Sequence, residues 1–155
     1  MAQDSIEPIS TLPRGEFAFP GSLRDALVTA ILDGTKTTTT SLLVEHQPDH
    51  DPQEDVGALE AVLDSHDNVV WVILTTAVEV CRLADVSDEH AIAEGEGYAD
   101  VNEWRAGHEQ FWRSPEFVEY MGEIDINDDT QVVCQRFTVD ERYPVKDLEP
   151  WNSIA

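Results

Sequence analysis

The stretch Asp33-Gly34-Thr35-Lys36-Thr37-Thr38-Thr39-Thr40-Ser41-Leu42-Leu43 decides how the rest of the chain is read, because it joins two kinds of backbone. Before it, Leu23, Ala26, Leu27, Ala30 and Ile31 recur at helical spacing, and Ser22 with Asp25 stands in capping-box positions. A helix is therefore expected from Ser22 to Gly34. Glycine suits the left-handed residue that ends a helix, and the β-branched run after it favours extended backbone. The chain has only two lysines, Lys36 and Lys146, and the first sits at this corner among hydroxyl side chains. On a regular strand Lys36 and Thr39 would face opposite sides. If they serve one pocket, Lys36 must lie in the turn and strand pairing must begin near Thr38.

The 155 residues suit a single domain that buries about two thirds of its unfolded surface. The pattern divides into an irregular leader over 1–14, one domain over 15–140 and a tail over 141–155. Pro8 and Pro13 punctuate the leader, which is expected to pack little. The longest apolar run, Val69 to Leu74, falls short of the roughly 18 residues a membrane span needs, and no signal peptide is evident. The expectation is a soluble, cytoplasmic protein. Cys81 and Cys134 form no CxxC pair and read as buried free thiols, with neither a disulfide nor a zinc site.

Charge is the largest global signal. The chain carries 32 Asp and Glu against 9 Lys and Arg, a formal net charge of -23, while its apolar fraction of 41% is that of a folded protein. Dispersed carboxylates suit a protein of a salt-rich, halophilic cytoplasm, since a Debye length of about 3 Å at 1 M salt screens their repulsion. The same charge excludes non-specific DNA or RNA binding, which depends on many Lys and Arg contacts to phosphate. Any nucleic-acid role must use a local pocket.

Beyond Val44, His46 and His50 stand in an acidic loop broken by prolines that deny them a common helix face, so a solvated loop is expected and no metal site. Ala58–Leu63, a turn at Asp64–Asn68 and Val69–Cys81 read as a hairpin with a long second strand. A bend that lets this strand serve two parts of a small barrel explains its length. Ser87 can cap a short helix through Glu94 that Gly95 ends, and Glu94-Gly95-Glu96-Gly97 brings two carboxylates into tight backbone. Asp100 and Glu103 open a helix with Trp104, His108 and Phe111 on one face. Ser114-Pro115 starts another to about Met121. His90 and His108 read as packed, hydrogen-bonded histidines. The last strand is expected over Gln131–Val139, where Val133, Phe137 and Val139 alternate with Cys134, Arg136 and Thr138.

Taken together, these segments resemble the ASCH domain family. Gly34-x-Lys36-x-x-Thr39 is similar to its GxKxxT signature and is followed by Ser41-Leu42-Leu43. Glu94-Gly-Glu-Gly, Trp104-Arg105 with His108, and Val132-Val133-Cys134-Gln135-Arg136-Phe137 look like its later blocks, in order. The resemblance implies an α+β fold, a small PUA-like mixed β-barrel with flanking α-helices. It also implies RNA or a modified nucleoside or nucleotide as partner, with no cofactor. Some small members hydrolyse the N4-acyl group of acylated cytidine nucleosides, and others are reported as ribonucleases. In the former the catalytic set is a Lys, a Thr and a Glu, which carries over to Lys36, Thr39 and Glu94. Gly34, Ser41, Glu96, Arg105 and Arg136 are the candidate ligand-binding residues. Three departures bear on specificity: Tyr98 stands where many relatives have an acid, Gln135 where an acid is frequent, and Gly57-Ala58 where a glycine-aspartate pair is usual.

Amide hydrolysis needs an attacking group, a base and donors for the oxyanion. Two divisions of labour are open. Glu94 is protonated and acts as an acid, or Lys36 stays charged and holds the oxyanion while Glu94 activates water. The other readings are a non-catalytic RNA-binding module, in which Arg105, Arg113 and Arg136 hold phosphate and Trp71 or Trp104 stacks a base, and a ribonuclease that uses Lys36 on the phosphate.

Overall fold

The computed structural model describes residues 8–46 and 48–143. The tail expected over 141–155 therefore lies outside the described residues from 144 onward, as does Lys146. Among the described residues the fold is α+β, with one mixed five-stranded sheet and four α-helices. The strands are β1 (Arg14–Gly15), β2 (Thr38–Leu42), β3 (Leu59–Leu63), β4 (Val69–Arg82) and β5 (Gln131–Val139), in the spatial order β1-β3-β4-β5-β2. The helices are α1 (Ser22–Leu32), α2 (Asp88–Ala93), α3 (Val101–Trp112) and α4 (Pro115–Met121).

Strand β4 carries the sheet. Its first half pairs antiparallel with β3, from Leu63↔Val69 to Leu59↔Leu74, and its second half with β5, from Ile73↔Val139 to Arg82↔Gln131. A register shift between Thr75 and Ala77 lets the strand change direction there, which explains how fourteen residues stay in one strand. Strand β2 adds antiparallel to β5, with Thr39 opposite Gln135, and forms one edge. The pairings among the described residues leave β1 and β2 as the two edges.

Two local expectations are corrected. The leader packs more than its prolines suggest: Ile9–Thr11 makes a 3-10 turn, Leu12 is buried, and β1 runs parallel to β3. The capping box at Ser22 does not form, because Ser22 is the first helical residue and Gly21 holds the cap position. Its role passes to a distant residue. The Gly21 amide donates to Ser65 Oγ at 2.9 Å, and Ser65 Oγ donates to Asp25 Oδ1 at 2.7 Å, tying the start of α1 to the β3–β4 turn. By contrast, Ser87, Asp100 and Ser114 each cap their helix by accepting from the amides of His90, Glu103 and Phe117.

The core among the described residues has three clusters, one of which packs Leu12 and Tyr143 with Ala61, Leu63, Val69 and Val72. Another lies under α1, where Val28, Ile31, Val62, Ile73 and Phe137 pack with Phe17. The third lies under α2, α3 and α4, where Trp104, Leu83, Leu42, Val132 and Phe117 meet. No helix among the described residues is long and apolar enough to cross a membrane.

Candidate functional site

The turn after α1 is fixed by backbone bonds. Gly34 takes φ +84°, the Lys36 amide reaches back to Ala30 O at 3.0 Å, and the Thr37 amide donates to Ala93 O at 2.9 Å. Lys36 thus lies in the turn and β2 begins at Thr38, as the shared-pocket argument requires. From Thr38 the strand period of two takes over. Thr38 and Thr40 face α2 and α3, where Thr38 Oγ1 donates to His90 O at 3.0 Å. Thr39 and Ser41 face the other side.

Gly95 brings the second segment against this turn. Its φ of +72° ends α2, and a Cβ there would stand 2.5 Å from Thr35 O, so only glycine permits the approach. Glu94 is thereby delivered to Lys36, and the two are buried together at 1% and 2% exposure. Lys36 Nζ donates to Thr38 O at 2.8 Å and lies 3.6 Å from Glu94 Oε1 and 3.9 Å from Glu96 Oε2.

Glu94 is ringed by donors. Thr40 Oγ1 donates to Oε2 at 2.6 Å and Trp104 Nε1 to the same oxygen at 2.7 Å, while His90 Nε2 stands 3.2 Å away. Oε1 faces His108 Nε2 at 3.1 Å as well as Lys36. Thr40, Trp104 and His108 thus hydrogen-bond the carboxylate, and His90 and Lys36 add ion pairs at 3.2 and 3.6 Å. Burial would raise the Glu94 pKa. Hydrogen bonds from His108 and His90, with the charges of His108 and Lys36, outweigh burial and hold it well below the usual carboxylate range.

Glu96 behaves oppositely. Burial raises its pKa, the neighbouring Glu94 adds to the rise, and Lys36 offsets only part of it. Tyr98 packs its hydroxyl against Gly107, and burial with the Glu96 and Glu94 charges pushes the phenol up to about 12. The ligand atoms of Glu94, Glu96 and His108 lie within 4.8 Å of one another, a spacing a divalent ion would accept, but the Lys36 ammonium already stands beside both carboxylates.

These groups open on a cavity of about 610 Å³ between α1, α3 and the sheet. Lys36, Thr39, Thr40, Ser41, Glu94 and Glu96 all line it. A family model described as the ASCH domain matches residues 16–141. The chain belongs to the ASCH domain family.

This ASCH domain is similar to the crystal structure of an ASCH domain from Lactobacillus crispatus, with 25% identity and a TM-score of 0.66 over 82% of this chain and 79% of that one. It is also similar to a crystal structure of a protein from Enterococcus faecalis, with 27% identity and a TM-score of 0.69 over 83% of this chain and 76% of the other. No curated protein matches.

The structure does not gather every residue singled out from sequence. Gly34 terminates α1 and does not line the cavity. Arg105 is held on the surface by Glu109 at 2.8 Å and Asp128 at 2.7 Å, and Arg136 faces Glu89 at 3.8 Å, both away from the cavity. Arg113 bonds Glu109 and Ile126 O. Trp104 is fully buried and spends its N–H on Glu94, and Trp71 packs into the core beneath α1. His46 and His50 bond Ser41 and Asp55 respectively.

Thr40, Glu60 and Arg24 were not anticipated, and Gln135 was singled out only as a departure from the family pattern. Thr40 was hidden by identity, as one of four consecutive threonines, although the period of two from Thr38 separates it from Thr39. Arg24 falls among helical residues of ordinary type. It is buried and donates to Phe17 O and Ala18 O, which fixes the Glu16–Phe19 wall of the cavity.

Proposed function

We propose that this ASCH domain binds a modified nucleoside in the cavity and hydrolyses an N4-acylcytidine-type amide. The observation that carries the reading is that Lys36, Thr39 and two carboxylates of opposite pKa displacement all line one nucleoside-sized cavity. The same reading takes the sheet as a PUA-like barrel, supported by the bend of β4 at Thr75–Ala77.

Roles follow from the surroundings of each group. Glu94, ionised and held by donors, keeps a charge beside Lys36, so the division of labour with a charged lysine is preferred. The Lys36 ammonium stabilises the oxyanion that forms on the amide oxygen. Glu94 already accepts from Thr40 and Trp104 at Oε2 and from His108 at Oε1. Glu96, raised and next to the cavity, is the group placed to exchange a proton. Water adds to the acyl carbon and gives its proton to Glu96. The C–N bond then breaks as Glu96 returns the proton to N4, releasing cytidine and the carboxylic acid. The Thr39 hydroxyl, without a partner among the described residues, orients the water or the acyl oxygen.

The test offers N4-acetylcytidine and short RNAs, in high salt, to the protein and to Lys36→Ala and Thr39→Val variants. Deacylation that vanishes with Lys36 supports the reading. Binding without turnover supports a binding module instead, and Lys36-dependent strand scission a ribonuclease.

A further inference from the structure

Thr39 has a neighbour on the cavity wall that the chemistry above does not use. Gln135 is its cross-strand partner on β5, and directly opposed residues of an antiparallel pair present their side chains to the same face. Both line the cavity. Gln135 Nε2 donates to Thr75 Oγ1 at 2.6 Å, and Thr75 is buried at 1% exposure, so the amide is anchored to a fixed point of β4. Thr75 lies opposite Phe137, whose backbone amide donates to Thr37 O at 3.0 Å. The anchor therefore draws the Gln135 side chain along the sheet from the level of Thr39 toward that of Thr37, next to the turn that holds Lys36.

The anchor also decides what the amide has left to offer. A side-chain amide carries two N–H donors and one carbonyl acceptor. One N–H is spent on Thr75, and no other partner of this side chain stands among the described residues. One donor and one acceptor remain, side by side on a planar edge. Gln135 is half-buried, and Trp71 Nε1 is the only fully enclosed, unpartnered side-chain atom among the described residues, so this edge is open to a ligand. A cytosine acylated on N4 presents the complement, a single N4–H donor beside the N3 acceptor. Uracil presents the reverse order, the O4 acceptor beside an N3–H donor. Asn and Gln amides read the donor–acceptor edge of adenine in the same bidentate way. A carboxylate in place of the amide would accept from N4–H but set a lone pair against that of N3.

We propose that Gln135 reads the base of the bound nucleoside, its Oε1 accepting from N4–H while the remaining Nε2 hydrogen donates to N3. The assignment rests on the nucleoside reading given above and specifies its base as cytosine over uracil. Because N4 is bonded to the acyl carbon, the same contact holds the scissile amide beside Thr39 and Lys36. Gln135 transfers no proton; its part is specificity, exerted by direct contact with the substrate.

The experiment measures binding of cytidine, 3-deazacytidine and uridine by calorimetry in molar KCl, to the protein and to Gln135→Leu, Gln135→Glu and Thr75→Val. Melting temperatures and N4-acetylcytidine turnover are followed in parallel. A bidentate contact predicts that cytidine binds about tenfold tighter than uridine, and tighter by a similar factor than 3-deazacytidine, which carries C–H in place of N3. Both ratios should fall toward unity in Gln135→Leu. In Gln135→Glu cytidine should lose its advantage over 3-deazacytidine. In Thr75→Val the amide is released to turn, and the cytidine-to-uridine ratio should shrink with Gln135 still present. Should Gln135→Leu fail to fold, Gln135→Glu and the two analogues on the unmodified protein decide. Ratios that survive in Gln135→Leu, or an unmodified protein that binds the three nucleosides equally, overturn the assignment even where N4-acetylcytidine is deacylated. Ratios that depend on Gln135 without any turnover keep the assignment and remove the hydrolase. Neither binding of any nucleoside nor turnover overturns both.

Discussion

Glu94 and His108 meet at 3.1 Å inside the protein, and the other ring nitrogen of His108 donates to Trp104 O at 2.9 Å. A carbonyl only accepts, so Nδ1 carries a hydrogen. An ionised Glu94 then requires one on Nε2 as well, and the ring is an imidazolium. This agrees with the direction of both pKa displacements. Burial disfavours the charge on His108, but the Glu94 hydrogen bond and charge raise its pKa above 6.5.

The pair gives stability a defined pH window. His108, raised on folding, contributes fully below about 6.5, and that contribution is lost as pH climbs through its folded value. Glu94, depressed, contributes fully above its ordinary value of 4.5 and loses this as pH falls through its lower folded value. The stability gap between the protein and His108→Gln, measured by urea unfolding, should be widest between about pH 4.5 and 6.5. A gap that does not shrink on the alkaline side contradicts the imidazolium.

Lys36 and Glu94 are a buried ion pair, so removing one partner strands the other. Lys36→Met should cost about 3–5 kcal/mol in unfolding free energy, and the double change Lys36→Met with Glu94→Gln should cost less than the sum of the two single changes. Unfolding titrations of all four proteins give the coupling directly. Additive losses would mean that the two charges do not depend on each other.

Neighbouring threonines should separate function from stability. Thr40→Val removes a 2.6 Å bond to an ionised, buried carboxylate and should destabilise by about 1.5–3 kcal/mol. Thr39→Val removes a hydroxyl that bonds nothing among the described residues. It should leave the melting temperature nearly unchanged while lowering kcat on N4-acetylcytidine. Equal losses of stability would show that Thr39 is structural.

Much of the fold was legible because local rules act locally. Ser87, Asp100 and Ser114 cap as their spacing requires, and Gly34 and Gly95 end helices with positive φ. The Asp64–Asn68 turn was marked by residues that bond their own backbone, as Asp64 does to His66 and Asn68. What was not legible depends on contacts distant in sequence. The cap of α1 comes from Ser65, 44 residues beyond Gly21, and the packing of Leu12 depends on β3. At the site, the family resemblance pointed to Lys36, Thr39 and Glu94, and all three line the cavity. It could not show that Glu94 would be held by groups from β2, α2 and α3, nor that Arg105 and Arg136 would be spent on surface carboxylates.

Gly95 links fold to chemistry. In Gly95→Ala the new methyl would meet Thr35 O at 2.5 Å, a backbone atom that cannot rotate away, at a φ of +72° that alanine resists. The α2 end must then retreat from the turn that carries Lys36, lengthening the Lys36–Glu94 contact. The expected outcome is a folded protein with reduced thermal stability and a larger loss of kcat than of affinity for the nucleoside. Wild-type turnover in Gly95→Ala would show that this close approach does not position Lys36.

The net charge of -23 makes the stability of the whole domain depend on salt. Exposed carboxylates repel across distances longer than the Debye length at high salt, about 3 Å at 1 M, but well within the roughly 30 Å at 0.01 M. Surface ion pairs such as Arg82 with Asp129 are weakened by the same screening, but they are few beside the 32 acidic residues. Relief of repulsion wins. The melting temperature should rise steadily from millimolar to molar KCl, whereas the Lys36–Glu94 pair, being buried, should keep its double-mutant coupling across that range. A melting temperature that is flat or falls with KCl would mean that the carboxylates are balanced locally and that the protein needs no salt to stay folded.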